Sequence, residues 1–155
     1  MKSPMALICL SFLGASSALA ADGAATAVET WKAEPTTVFD AKDVDLDAFQ
    51  WIARPLVVFA DAPQVPAFQS QMELLQERMD ELALRDVVVI VDTEPGERTD
   101  VRRELRPRGF MLALIGKDGR VKLRKPFPWN VRELSRQIDK MPIRKQEIRD
   151  ALTAE

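Results

Sequence analysis

The sequence predicts an α/β domain with a central mixed sheet of four to five strands, helices on both faces, and a C-terminal β-hairpin followed by a helix. Three observations predict it. Two apolar, β-prone runs, Leu56–Ala60 and Val87–Val91, flank one amphipathic helical stretch, so they pair in parallel through a right-handed crossover. The segment GFMLALIGKDGRVKLR, Gly109–Arg124, reads as a hairpin turning at Lys117-Asp118-Gly119. A third apolar stripe, Val131, Leu134, Ile138 and Met141, has the three-and-four spacing of a covering helix.

In chain order, residues 1–20 differ from the rest. Lys2 opens a short positive start, Met5–Leu13 is apolar, and Ala18-Leu19-Ala20 has a small-x-small cleavage pattern, which together read as a secretory signal peptide cut after Ala20. The expected location is periplasmic or extracellular, with no transmembrane segment after cleavage. Residues 21–48 read as a flexible leader (21–33) and an N-terminal extension holding a short strand at Thr36–Phe39 and an acidic loop or helical turn at Asp40–Gln50. Phe49 and Trp51 are expected to tuck under the domain. Residues 49–150 form the domain proper and 151–155 a tail.

Within that domain, Pro55 opens the first clear strand, and a helix is expected from Pro66 to about Leu84 on the stripe Phe68, Met72, Leu75, Met79 and Leu82, with Glu81 able to pair with Arg85. Val87–Val91 is the central-strand candidate. Glu97–Arg106 reads as a short helix showing Val101 and Leu105 to the core, ended by Pro107 and Gly109. In the hairpin, Phe110–Ile115 is a buried strand. Arg120–Arg124 alternates, setting Val121 and Leu123 against Arg120, Lys122 and Arg124. Asn130 is a natural cap for the next helix, and Pro142 starts a last one with a thin apolar face. Strand, helix, strand, short helix, strand, hairpin strand, helix is the order of a thioredoxin-like core.

The paired segments IGKDGRVKLR and IDKMPIRKQE carry a resemblance over Trp51 to about Asp150. They resemble a bacterial exported family known as domain of unknown function 4174, with related domains in some animal secreted matrix proteins. The resemblance implies a thioredoxin-like, peroxiredoxin-related fold and brings no activity with it.

Composition narrows the chemistry. The chain has no histidine, and its one cysteine, Cys9, falls in the signal segment. Cleavage would leave no sulfur nucleophile, and loss of Lys2 with no acid takes the net charge from −2 to −3. Thioredoxins place reactive cysteines where the helix after the first core strand begins. Here that stretch is Ala60-Asp61-Ala62-Pro63-Gln64-Val65-Pro66, and Met111 or Leu112 falls where thioredoxins carry a proline. Thiol redox chemistry is excluded for the cleaved chain, as are the usual zinc sites and Ser-His-Asp or Cys-His catalysis. Asp43, Asp45 and Asp47 have the spacing that begins a calcium loop, but Ala48 and Arg54 stand where glycine and glutamate belong. No phosphate loop occurs.

No catalytic residue, metal site or cofactor is therefore expected, and a protein- or ligand-binding module is the leading reading. The candidate binding residues are Asp61, Ala62, Pro63 and Gln64 beside Arg108 and Met111, with Asp61 read first as a helix-capping carboxylate. The alternatives are an enzyme using Asp61 or Arg108, and an envelope protein holding anionic lipid or polymer on a basic face. From Asp22 to Glu97 there are 16 acidic and 5 basic residues, whereas from Arg98 to Asp150 there are 16 basic and 7 acidic. The basic face is expected in two rows: Arg120, Lys122 and Arg124 on the hairpin, and Arg132, Arg136 and Lys140 four residues apart on the following helix. Expected partners are an unknown protein or anionic surface, or a second copy through self-association; export makes nucleic acid an unsuitable partner.

Overall fold

Leu56–Phe59 and Val87–Ile90 are apolar at every position because both faces of their sheet are covered. The computed structural model describes residues 19–154, so nearly all of the expected signal segment, Cys9 included, lies outside the described residues. Five strands form one mixed sheet: β1 (Val38–Asp40), β2 (Arg54–Phe59), β3 (Val87–Asp92), β4 (Met111–Ile115) and β5 (Val121–Lys125), in the spatial order β1-β3-β2-β4-β5. β3 lies parallel to both β1 and β2, whereas β4 runs antiparallel to β2 and β5 antiparallel to β4. This arrangement is consistent with a thioredoxin-like α/β fold. β3 is interior, as expected, but β2 is the middle strand of the five.

Helices cover both faces. On one, α1 (Leu19–Ala33) and α4 (Asp100–Leu105) pack Trp31, Val101 and Leu105 against Val57, Phe59, Val88 and Ile90. On the other, α2 (Pro66–Gln76), α3 (Met79–Ala83) and α5 (Val131–Asp139) pack Leu75, Leu82, Leu134 and Ile138 against Leu56, Val58, Val89 and Leu112. Asn130 caps α5 by accepting from the Glu133 amide at 2.9 Å. No described helix is long and apolar enough to cross a membrane.

Five expectations need correction. The segment expected to be a flexible leader is helical, and Ala27, Val28 and Trp31 are buried. Trp31 sets its ring edge-on to Phe49, with centroids 6.5 Å apart. Burial of so large an aromatic anchors a helix whose small residues give little amphipathic signal. Trp51 does not tuck under the domain: it is 65% exposed, at φ 64°, and its amide donates to the Lys117 carbonyl at 2.7 Å. The long helix expected to Leu84 breaks at Glu77–Arg78 into α2, which lies on β2, and α3, which packs against β3 and α5. Arg85 gives its side chain to Asp139 instead of to the Glu81 carboxylate, which pairs with Arg78.

The fifth correction concerns the hairpin. Gly119 takes φ 76° at the turn, as its position requires. Leu123 opposes Leu114 and Val121 opposes Ile115, so Lys122 is an extra residue without a partner on β4. That bulge breaks the strict alternation. Leu123 packs on the core, whereas Val121 is exposed.

Candidate functional site

The register determines which loops meet. Phe59 pairs with both Asp92 and Met111, so the ends of β2 and β3 and the start of β4 lie at one end of the sheet. The candidate residues Asp61, Ala62, Pro63 and Gln64 leave β2 at this end, and Arg108 and Met111 enter β4 there. Asp61, Pro63 and Gln64 are exposed and Ala62 half-buried. Asp61 is not a helix cap: α2 begins after Val65, with no side-chain cap bond.

Beneath these loops lies a clamp that reading the sequence missed. Asp92, with its side chain 2% exposed, accepts from Arg102 on α4 at 2.6 and 3.0 Å and from the Thr99 hydroxyl at 2.7 Å. Arg102 also donates to the Ala60 and Asp92 carbonyls and lies over the Phe59 ring, 5.4 Å from its centroid. A buried carboxylate needs this density of donors to offset its lost hydration. The available signal was an aspartate ending a fully apolar strand, which implies a cationic partner nearby. The clamp fixes α4 to β2 and β3, and so fixes the chain that leaves α4.

That chain builds a cationic cleft. Arg106 closes α4 in the left-handed region at φ 49°, its amide bonded to the Arg102 carbonyl. Pro107 follows, then Arg108 and Gly109, the latter at φ 61°. Opposite, Arg124 on β5 donates to the Leu105 carbonyl and lies 3.7 Å from the Met111 sulfur. Lys125 stands over the Trp129 and Phe127 rings, 4.6 and 5.8 Å from their centroids. The resulting open cleft, about 260 Å³, is lined by Arg106, Arg108, Arg124 and Lys125 with Phe110 and Met111, and no acid among the described residues lines it. Among the described residues, none of the four cations pairs with a carboxylate.

The two expected basic rows are thus redistributed. Arg124 opposes Ala113 and joins the cleft on the α4 side. Lys122, displaced by the bulge, joins Lys140, Gln137 and Met141 in a second open cleft of about 250 Å³ between β5 and α5. Lys122 also binds Asp118 at 2.7 Å. The Asp118 carboxyl is raised by burial but more strongly lowered by the Lys122 and Arg120 groups around it, and ends below its ordinary value. Arg120 is exposed at the turn. Arg132, Arg136 and Lys140 are exposed, with Lys140 just past the end of α5 and Arg136 held by Glu133.

The opposite end of the sheet is charged too, but paired. Arg54, 1% exposed at the start of β2, binds both Glu147 oxygens at 3.0 Å and the Arg85 carbonyl at 2.7 Å. Lys117 binds Asp86 at 2.7 Å and Glu147 at 2.8 Å, and Arg144 reaches Glu147 and Asp139. Glu147 belongs to α6 (Pro142–Thr153), which runs on through most of the expected tail and buries none of its own residues. Charge therefore does much of the docking of α6. Burial raises the Glu147 carboxyl, but the Lys117 hydrogen bond and the Arg54 charge outweigh it and hold it below the usual glutamate range.

The arrangement defines a class: a mixed α/β domain whose β2–α2 loop carries no cysteine and whose neighbouring cleft is lined by basic side chains. The chain matches the family model Domain of unknown function (DUF4174) over residues 45–147, about two thirds of its length, and belongs to that family. No curated protein matches it.

Proposed function

We propose that this chain is an exported, non-catalytic, thioredoxin-like binding module whose basic second half meets an anionic partner. The observation that carries the reading is the cleft of four cations with no acid in its lining. Lone cations around one concavity attract anions more than the same charges would if neutralised in pairs. The corner converges arginines rather than carboxylates, which supports binding over acid–base chemistry at Asp61. Export is supported by the pattern of residues 1–20. A second copy could offer its acidic first half as the anionic surface, and a salt-sensitive dimer would report it.

The test is co-sedimentation of the chain from Ala21 with anionic vesicles and with an anionic polymer, at low and physiological salt, with its own sedimentation coefficient followed alongside. Binding or self-association that weakens as salt rises is expected. A monomer that binds neither probe at low salt contradicts the reading. Intact mass of the exported protein is expected to show cleavage after Ala20.

A further inference from the structure

We infer that the cleft between the α4–β4 loop and β5 is a phosphoryl-oxyanion site, with Arg106, Arg108, Arg124 and Lys125 as its ligating side chains. The inference rests on the anion-binding reading above and names the ligand chemistry.

The first argument is ligand shape. A carboxylate has two coplanar oxygens and one charge, and a single guanidinium fork satisfies it. Three arginines and one lysine line this cleft from two separate walls, the Lys125 ammonium being held over the Trp129 ring. Arg106 and Arg108 come from the α4–β4 loop, and Arg124 and Lys125 from β5. Several arginine forks lining one cleft match a tetrahedral group with three or more oxygens and more than one charge.

The second argument is preorganisation. The α4–β4 wall is held by the Asp92–Arg102 clamp, by Pro107, and by two left-handed residues, Arg106 and Gly109. The β5 wall is held by Arg124 on the Leu105 carbonyl and by Lys125 on the Trp129 face. Holding like charges together without a counter-ion is unfavourable, and an arriving anion relieves that repulsion. Phe110, Met111 and Pro126 supply apolar wall in the same cleft. At about 260 Å³ the cleft suits a small group rather than a large cofactor.

The same phosphoryl chemistry is offered by free phosphates and by phospholipid headgroups. The experiment is isothermal titration of the chain from Ala21 with inorganic pyrophosphate. Flotation with phosphatidylglycerol-containing vesicles runs in parallel, using wild type, Arg106→Glu/Arg108→Glu, and the charge-matched control Lys145→Glu/Arg149→Glu. The expected result is saturable binding of one pyrophosphate, weakened about tenfold or more by the cleft variant. The control removes the same charge elsewhere and is expected to change binding only by about twofold, through screening alone. Vesicle binding lost in the same variant and displaced by pyrophosphate assigns the group to a lipid headgroup; pyrophosphate binding without vesicle binding assigns it to a free phosphate. Acetate displacing pyrophosphate as well as phosphate does would overturn the phosphoryl assignment. Anion binding that survives Arg106→Glu/Arg108→Glu at full strength overturns the site and leaves the broader reading standing. Absence of binding to every probe overturns both. Thermal melting of each variant verifies that it is folded.

Discussion

The two ends of the sheet carry similar numbers of cations, but only one of them leaves a group of cations without carboxylate partners among the described residues. At the end where β2 and β3 begin, Arg54, Lys117 and Arg144 each meet a carboxylate, and Glu147 is shared among all three. At the end where β4 begins, Arg106, Arg108, Arg124 and Lys125 share a cleft with no carboxylate. The first end has spent its charge on structure: it fastens α6, a helix with no buried residue of its own. The second end has charge left over. Net charge by segment, +9 for residues 98–150, conceals this difference, because several of those cations are already neutralised within the fold.

The largest expected effect comes from the sheet that joins the two ends. Val89 is 1% exposed and opposes Leu56 on one side and Val38 on the other. Val89→Asp would bury a carboxylate with no partner, costing several kcal/mol against a total stability of about 5–15 kcal/mol. Loss of cooperative melting is the expected outcome, and a folded, cooperative Val89→Asp protein would mean that this strand is not interior.

A smaller effect is expected at the paired end. Glu147→Ala leaves Arg54 buried, with Asp86 4.0 Å away as its nearest remaining carboxylate. Breaking a buried pair costs about 3–5 kcal/mol, and the lower end applies because Glu147 is itself partly exposed. Chemical denaturation measures the loss, and hydrogen exchange should find it centred on α6. If Glu147→Ala is neutral, the ion cluster is not what holds α6.

Acid sharpens the same point. The Glu147 carboxyl is lowered in the folded state, so its contribution to stability is present above the unfolded value, about 4.5, and is lost as pH falls through the lower folded value. Asp118, also lowered, acts in the same direction at the hairpin turn. Protection of α6 amides, relative to their intrinsic exchange rates, is expected to fall below about pH 4.5, before that of the strands, and the wild-type acid dependence should flatten in Glu147→Gln. α6 protection that is constant down to global acid unfolding would contradict this.

The smallest stability effect is expected at the unpaired end. Arg106 and Arg108 are exposed and lack carboxylate partners among the described residues, so Arg106→Glu/Arg108→Glu should shift stability by no more than about 0.5 kcal/mol per site. A drop comparable to that of Glu147→Ala would show that these arginines are structural.

Much of the fold was legible because its signals are local. The runs Leu56–Ala60 and Val87–Val91, the Asn130 cap and the Gly119 turn depend on neighbours a few residues apart. What was not legible depends on distance or on single-residue geometry. Trp31 docks α1 from an alanine-rich segment whose periodicity is faint. Arg54 finds Glu147 across 93 positions, which no periodicity reports. One extra residue, Lys122, splits the hairpin's cationic row between two sides of the sheet. Arg108 and Met111 line the cleft together with Arg106, which no local pattern singles out and which meets Arg124 and Lys125 only because the fold brings the α4–β4 loop against β5.

The central claim is that unpaired cations, rather than cations in general, make the binding site. The most direct measurement is an amide and arginine side-chain NMR titration of the chain from Ala21 with pyrophosphate, which reads both ends of the sheet in one sample. Shifts confined to residues around Arg106, Arg108, Arg124 and Lys125, with the resonances of Arg54, Lys117 and Arg144 unmoved, are the predicted result. Shifts of equal size at both ends, or centred on the paired cluster, would contradict it.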